Sequence, residues 1–286
     1  MATARDLQRQ INTVKNQARV FSALQTVSSV KFRKAEARVK KARPYADNVE
    51  QMMRDVAGSA SGDLPLLVGR EVDRVAICTL TADRGLAGGF NAQVLRRTVS
   101  LRNEKDQNAL QVASGRKAVA FFRFRRVELA EVFTGFTDNP TYENAREIGS
   151  TLTNLFENEE ADEVYLVYNR FQSALNQTPV VKRLLPVAEE GDEEQDDGAS
   201  YMEYVPDAET VLKRLVPRYV ETMVWQALLE GAAGEHGARM TAMKNASDNA
   251  NDLVSDLTLQ MNKARQAQIT QEILEIVGGA EALSAG

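Results

Sequence analysis

The sequence predicts a small doubly wound α/β domain, with helices on both faces of a largely parallel sheet, between two long helices that pair as an antiparallel coiled coil. Three observations lead to this fold class. Apolar residues recur at alternating spacings of four and three over residues 1–57, and the same spacing returns after Leu229. Between these stripes, short β-branched runs alternate with helical stretches. A 3.5-residue period is typical of helices that wind around a partner, and strand–helix alternation is typical of a parallel sheet.

The first stripe predicts an N-terminal coiled-coil helix over residues 1–57. Fifteen seam positions run from Leu7 to Val56, and thirteen of them are apolar or alanine. The last stripe predicts a second coiled-coil helix over residues 207–286, and no proline follows Pro217. The first helix joins the middle of the chain by its C-terminus and the last by its N-terminus, so the two must run antiparallel. Placing residue 57 opposite 207 brings Ala35 near residue 229.

Unequal length predicts an unpaired end. At ~1.5 Å per residue the two helices would measure roughly 80 and 115 Å, which leaves about the last twenty residues without a neighbouring helix. That overhang carries five large apolar residues: Ile269, Ile273, Leu274, Ile276 and Val277. Because a single helix cannot bury such a face by itself, we expect another protein to surround it.

The middle segment, residues 70–206, predicts the α/β domain. Short apolar runs predict strands over residues 75–80, 109–113, 127–133, 164–168 and 180–185. Helical stretches fall at residues 91–105, 115–125 and 141–157. Near the end of the segment, residues 189–197 hold seven acidic residues in nine positions, beside Gly191 and Gly198. Such a charge run predicts a disordered surface loop.

Composition limits the class of protein. The single cysteine, Cys78, excludes an internal disulfide and a cysteine-based zinc cluster, and it suits a reducing compartment. The N-terminus has no apolar signal core, and no run approaches the ~18 apolar residues of a membrane span. These features predict a soluble, cytoplasmic protein.

Positive charge is concentrated in the first helix. Residues 1–57 contain twelve Lys and Arg against five acids, and seven of the basic residues lie between Lys31 and Arg43. Three interpretations stay open: a solvated outer face of the coiled coil, a nucleic-acid contact, or a contact with an acidic protein surface. Phe32 is the only aromatic residue among these basic residues, which argues against stacking on single-stranded bases.

The turn after the first predicted strand, residues 81–91, is the obvious candidate for a nucleotide site. Gly85, Gly88 and Gly89 lie between strand and helix, where backbone amides can approach a phosphate. The G-x-x-G-G spacing matches neither a dinucleotide fingerprint nor a P-loop, so tight turn geometry explains the glycines better. The only histidine, His236, lies on the helix seam, where a polar residue that specifies register is the better interpretation. We expect no catalytic residue, cofactor or metal.

Several segments together resemble one family. They are ADRGLAGGFN (residues 82–91), FRKAEARVKKARPYA (residues 32–46), EHGARMTAMKNASDNANDL (residues 235–253) and NKARQAQITQEILEIVGGAEAL (residues 262–283). These segments resemble the gamma subunit of F-type ATP synthases, and the resemblance covers the whole chain in order. It implies a rotating central stalk that couples proton or other ion flow to ATP synthesis or hydrolysis. The alternatives are a coiled-coil scaffold or nucleic-acid-binding protein, and a small nucleotide-dependent enzyme that uses the glycine turn.

The resemblance also implies partners and contact residues. The tip of the coiled coil would turn inside a hexamer of alpha and beta subunits, in a 3:3:1 complex. The α/β domain would sit on the membrane c-ring beside the epsilon subunit, which places the chain at the cytoplasmic face of the cell inner membrane as a peripheral protein. Contacts with the beta subunit carry over to Arg239, Gln266 and Thr270. Ile273 and Ile276 of the overhang complete the predicted subunit contacts.

Overall fold

The computed structural model describes residues 3–57, 69–105, 109–187 and 208–284. The predicted acidic loop at 189–198 lies outside the described residues. The described chain has five helices and five strands. In chain order they are α1 (Ala4–Ala57), β1 (Val75–Leu80), α2 (Phe90–Glu104), β2 (Leu110–Ser114), α3 (Arg116–Phe124), β3 (Leu129–Phe133), α4 (Tyr142–Glu157), β4 (Glu163–Phe171), β5 (Gln177–Leu185) and α5 (Ala208–Ser284).

The strands form one sheet in the order β3-β2-β1-β4-β5. The first four strands are parallel, and Ala76 of β1 pairs with Leu110 on one side and Val164 on the other. β5 returns antiparallel to β4. Both strands of this hairpin are longer than the apolar pattern predicted, because the ladder continues through polar positions such as the Arg170–Thr178 pair. Backbone pairing sets the length of these strands, and the hydrophobic pattern carries no information about it.

Helices cover both faces of the sheet, which confirms the doubly wound fold. Alternate residues of β1 point to opposite faces. On one face Ala76 and Cys78 join the core formed with α4 and α5, and on the other Val75 and Ile77 pack with α2. Phe122 of α3 packs in a separate cluster with β2. All six residues of β1 are buried, as a central strand requires.

By packing, the chain divides into two compact units. One comprises Ser28–Arg239, and the other comprises Met1–Val27 with Met240–Gly286. Within the first unit, α1 and α5 run antiparallel: Val49 and Met53 pack with residues 216–228 of α5, whereas Ala35 and Val39 pack with Leu229 and Ala233. Ala35 therefore lies where the seam spacing placed it.

In the second unit, the two chain ends share a small apolar core. Leu7 and Ile11 of α1 are buried with Leu257 of α5, and Met261 and Ala264 lie at its margin. Beyond this core the α5 side chains from 265 to 280 are all exposed. This confirms the predicted overhang. No helix in the described parts of the chain is long and apolar enough to cross a membrane.

Two glycines let α5 approach the α/β domain closely. A methyl group on Gly237 would lie 3.1 Å from the Ala174 Cα, in the turn between β4 and β5. On Gly234 it would lie 3.0 Å from the Phe90 ring at the start of α2. Gly231, one turn earlier on the same helix, has nothing within 4 Å of that position. Gly234 and Gly237 are therefore needed for packing, and Gly231 is not.

Substituting these glycines with alanine should have opposite effects. Alanine is favoured over glycine inside a helix by roughly 0.5–1 kcal/mol. Gly231→Ala should therefore raise the free energy of unfolding by about that amount. Gly237→Ala should lower it, because the backbone of Ala174 cannot move aside as a flexible side chain can. Urea unfolding of the two variants measures both effects, and stabilisation by Gly237→Ala would contradict the close approach.

Candidate functional site

Loops at the carboxyl edge of the sheet hold both long helices. Gly85 follows β1, Asp138 follows β3, and Phe171 ends β4, and each of the three residues contacts α1 or α5. In doubly wound domains this edge is where ligands usually bind. We call the whole contact set the clamp. Its helix residues are Lys31, Arg38 and Arg43 of α1, and Glu230, His236 and Arg239 of α5.

Three basic residues of α1 form one half of the clamp. Lys31 forms an ion pair with Asp138. Arg38 donates to the Asn139 side chain at 2.6 Å and to the Pro140 carbonyl at 2.5 Å. Arg43 donates to the Phe171 carbonyl at 3.0 Å. The basic segment is therefore divided: these three side chains bind within the chain, and its other four basic residues are exposed, namely Arg33, Lys34, Lys40 and Lys41.

Glu230 joins both helices to the sheet through one buried carboxylate. Its Oε2 accepts a hydrogen bond from the Phe171 backbone N–H at 2.9 Å. Its Oε1 accepts from Arg43 at 3.1 Å and from the Gln226 amide at 2.7 Å. Three donors from α1, α5 and β4 thus converge on one side chain. Hydrogen bonds to an ionised buried group are stronger than those between neutral groups.

His236 lies against the loop after β3. Its Nε2 is 3.1 Å from the Asp138 backbone carbonyl and 3.5 Å from the Asp138 Oδ1. Burial holds the pKa of the imidazole below its usual value. Burial raises the pKa of Asp138, but the hydrogen bond from Lys31 and the charge of His236 outweigh it, so the pKa is lowered. The Nε2 hydrogen bond of His236 therefore goes to the α/β domain, whereas the sequence pattern indicated a polar seam residue that specifies register.

Arg239, a predicted subunit contact, is 8% exposed. Its Nε and Nη2 donate to the Gly85 carbonyl at 3.2 and 3.1 Å, and Nη2 also donates to Glu235 at 2.5 Å. Glu235 is 1% exposed, and burial raises its pKa despite the adjacent guanidinium. Both partners of Arg239 lie within the chain. Contact of Arg239 with another subunit stays a prediction.

The glycine turn is shaped by its own hydrogen bonds. The Asp83 carboxylate accepts from the backbone N–H groups of Arg116, Gly135 and Thr137 at 3.0, 2.8 and 3.2 Å. Gly115 adopts φ +92°, and a methyl group there would lie 2.1 Å from the Thr81 carbonyl oxygen. The turn after β1 is thus tied to the loops after β2 and β3, which fits a packing role.

The helix α5 packs beside the glycine turn and leaves little space there. Between the C-terminal end of β1, the start of α2 and α5 there remains a cavity of about 20 Å³, lined by Ala82, Phe90, Gly231 and Glu235 among others. That volume holds about one water molecule, whereas ligand pockets measure roughly 300–1,000 Å³. Among the described residues no cluster of His, Cys, Asp or Glu has the arrangement of a metal site.

The other predicted contact residues lie on the exposed end of α5. Gln266, Thr270 and Ile273 recur at intervals of four and three, so they share one face. Ile276 is 71% exposed and flanks that face. The Thr270 hydroxyl donates to the Gln266 backbone carbonyl at 3.0 Å. We call residues 265–280 the tip. The structure brings these four residues together on the tip, and Arg239 is part of the clamp.

Comparison with known proteins identifies the family. The family model for ATP synthase matches residues 3–283. A protein of Rubrobacter xylanophilus named ATP synthase gamma chain is 67% identical over the full length of both chains. The chain belongs to the ATP synthase gamma-chain family. A gamma chain of Desulfitobacterium hafniense is 45% identical over 99% of this chain and all of that one.

Solved structures share the fold at low identity. A chain of the Euglena gracilis mitochondrial ATP synthase superposes with a TM-score of 0.69 at 18% identity, over 99% of this chain and 95% of that chain. A chain from the central stalk and c-ring of the Tetrahymena thermophila enzyme gives 0.60 at 20% identity, over 80% and 99%. The fold of this chain is thus shared with these two chains at low sequence identity.

Most of the clamp was not predictable from the sequence pattern. The sequence marks Lys31, Arg38 and Arg43 only as members of a basic segment, and it gives Glu230 and Asp138 no motif. One signal was available: Glu230 is an isolated acid inside the apolar and small-residue run MVWQALLEGAAG. A charged residue in such a run is buried only when it is paired. Two of its three partners, Phe171 and Arg43, lie 59 and 187 positions away in the sequence.

The Glu235–Arg239 pair should couple strongly. Removing one member of a buried ion pair costs about 3–5 kcal/mol, whereas exposed pairs contribute about 0.2–1 kcal/mol. Arg239→Ala should therefore destabilise the chain severely, and adding Glu235→Ala should restore part of the loss. The exposed Arg97–Glu104 pair provides a matched control with the same residue types. Double-mutant cycles in urea measure both couplings, and equal values would contradict a buried clamp.

His236 should make stability depend on pH. Its folded pKa is depressed, so between pH 7 and 5 the unfolded state takes up a proton first and the free energy of unfolding falls. His236→Gln should flatten this slope. Asp138, Lys31 and Arg239 are the charges facing the ring, and Asp138 loses its stabilising effect only below its unfolded value of 3.8.

Glu235 acts in the opposite sense. Its raised pKa adds stability as pH falls toward its unfolded value of 4.5. The comparison is therefore made between wild type and His236→Gln in the same buffers, so that the Glu235 effect cancels. Equal slopes of unfolding free energy against pH would show that the ring is not held neutral by burial.

Proposed function

We propose that this chain is the rotating central shaft of an F-type ATP synthase. In this role it couples the turning of a membrane c-ring to the catalytic sites of a hexamer of alpha and beta subunits. The observation that carries the proposal is the tip: α5 continues past the last paired residues and exposes Ile269, Ile273, Leu274, Ile276 and Val277. Burying each such side chain is worth roughly 1.5–3 kcal/mol. A surrounding protein ring supplies that burial.

The clamp supports the transmission of torque. A shaft must be fixed to its foot by contacts that do not slip when a tangential force acts. Here both helices are bonded to the sheet through ionised or backbone groups at Phe171, Asp138 and Gly85. Such directional bonds resist rotation of a helix about its axis more than apolar packing alone, because a small turn breaks their geometry. In this proposal the α/β domain is the part of the chain to which the shaft is fixed, and torque reaches the shaft through it.

The shaft acts on the catalytic sites by allostery. An asymmetric helix pair inside a three-fold ring presents a different face to each of three sites. Each site then has a different conformational equilibrium, and the difference in contact free energy between the faces sets its size. Turning the shaft exchanges the three states in sequence. The angle of the shaft is the effector.

The chain itself is non-catalytic in this proposal. Phosphoryl transfer requires a phosphate-binding lysine, bound metal ions and a positioned base or water. The glycine turn lacks the lysine of a P-loop, and α5 leaves room for about one water molecule beside it. ATP is bound and hydrolysed by the partner subunits.

The remaining partners and the location follow from the same proposal. The α/β domain sits on the c-ring beside the epsilon subunit, and the complex holds the chain at the cytoplasmic face of the cell inner membrane. Gln266, Thr270, Ile273 and Ile276 contact the ring at the tip. Arg239 contacts the beta subunit only if its guanidinium shares or leaves its bonds to Gly85 and Glu235.

The tip should be needed for coupling and not for folding. Changing Ile273 and Ile276 to Asp should leave the melting temperature of the free chain unchanged, because both side chains are already exposed. In the assembled complex it should lower ATP synthesis at least about tenfold, since two apolar contacts are replaced by charges. Truncation at Thr270 should have the same effect. The purified chain should show no ATP hydrolysis of its own.

A matched control separates the tip from the rest of the helix. Leu259 is 56% exposed on the same helix, before the tip begins. Leu259→Asp should impair synthesis much less than the Ile273 and Ile276 changes. Normal synthesis by the tip variant, or nucleotide turnover by the purified chain that is lost on changing Gly85, would contradict the proposal.

A further inference from the structure

An exposed basic and aromatic patch ends the helix α3. We call residues 123–126, Arg-Phe-Arg-Arg, the patch. All four residues are exposed, and Phe124 is 89% exposed, the highest value among the large apolar side chains described. Arg116 and Lys117 add two further exposed cations at the start of the same helix. At the C-terminal end of the helix, three positive charges and one exposed phenyl ring therefore lie on four consecutive residues.

The three patch arginines have no acidic partner within 4 Å among the described residues. Arg125 instead lies over the Phe121 ring, 4.7 Å from its centre. Arg126 adopts φ 58°, a conformation in which glycine is favoured at the end of a helix. Cations at a helix C-terminus gain a modest favourable interaction with the helix dipole, but that interaction gives no reason for exposing a phenyl ring. The clustering of arginines around Phe124 calls for a partner.

The patch lies at the amino edge of the sheet. The helix α3 connects the parallel strands β2 and β3, so it runs opposite to them and ends where β3 begins. The clamp lies at the other, carboxyl edge, after β1, β3 and β4. Neither the clamp nor the tip uses the patch, and the proposed shaft function does not account for it.

We propose that the patch binds the surface of a membrane that contains anionic phospholipids. Guanidinium groups bind phosphate oxygens in pairs, and an exposed phenyl ring between them can insert at the boundary of headgroups and acyl chains. The match is one of charge: the chain as a whole carries a net charge of −5, so only a local basic surface attracts an anionic bilayer.

The small size of the patch favours lipid over protein. A stable protein interface buries roughly 800 Å² on each side, whereas four residues at a helix end present far less. A fluid anionic surface needs no matching shape. It also permits a contact that persists while the chain turns, because lipid headgroups exchange as the arginines move past them. The complexes of this family are membrane-associated, so such a surface is within reach.

Vesicle binding by the full chain tests the proposal. The chain is sedimented with vesicles of phosphatidylcholine alone, and with vesicles that contain about one third phosphatidylglycerol. We expect binding to the second type only, weakened by salt. Arg123→Gln, Arg125→Gln and Arg126→Gln together should weaken it roughly 100-fold, given the attraction of each basic residue to an anionic surface. Phe124→Ser alone should weaken it several-fold.

A charge-matched control decides whether the site is specific. Arg33→Gln, Lys34→Gln and Lys41→Gln remove three exposed cations from α1 and should change binding less than about twofold. Equal loss in both triple variants, or equal binding to the two vesicle types, would overturn the proposal. The proposal would also be overturned if the patch variant still binds vesicles but no longer binds the c-ring in detergent solution, since that result assigns the patch to a protein partner.

Fluorescence provides an independent measurement. The chain has a single tryptophan, Trp225, so Phe124→Trp in a Trp225→Phe background reports on the patch alone. Its emission should shift to shorter wavelength on adding anionic vesicles and stay unchanged with neutral ones. If the variant has a normal melting temperature and its emission shifts with neither vesicle type, that result would also overturn the proposal.

Discussion

The buried carboxylate of Glu230 is the interaction on which the rest of the structure depends. It binds the backbone N–H that ends β4, the guanidinium of Arg43 on α1, and the amide of Gln226 on its own helix. Without it, the buried Phe171 N–H loses its acceptor, at a cost of about 1–3 kcal/mol, and the partly exposed Arg43 loses its counter-ion. Arg43 and Phe171 also bind each other, which closes a small ring of bonds among α1, α5 and the sheet.

These bonds occupy the edge of the doubly wound sheet at which a ligand usually binds. Loops at the carboxyl edge ordinarily receive a ligand, because helix N-termini and strand ends leave backbone groups free there. In this chain those groups bind helices. The Gly85 carbonyl accepts a hydrogen bond from Arg239, and the Asp138 carbonyl is hydrogen-bonded to His236. The Phe171 N–H donates to Glu230. The small residues of α5 at 231–237 make the approach possible, since Gly234 and Gly237 lie against Phe90 and Ala174.

Local pattern was enough to predict the elements, and distance in sequence explains what it did not predict. The seam from Leu7 onward gave α1, and the apolar runs gave all five strands, because burial repeats with a fixed local period. The overhang could be predicted because it depends only on helix lengths. The clamp could not, because Arg38 meets Asn139 and Glu230 meets Arg43 over about one hundred positions or more, where no period operates. Family resemblance predicts Arg239 as a contact residue, and no local pattern around it indicates that its partners lie within the chain.

Contacts within the chain hold both long helices against the sheet, and the tip is left for another protein to cover. Hydrogen–deuterium exchange of the free chain and of the assembled complex tests both parts of this account. Amides of residues 230–239 should be protected to the same degree in both samples. Amides of residues 265–280 should exchange rapidly in the free chain and slowly in the complex. The account is contradicted if 230–239 gains its protection only on assembly, or if the tip exchanges equally fast in both.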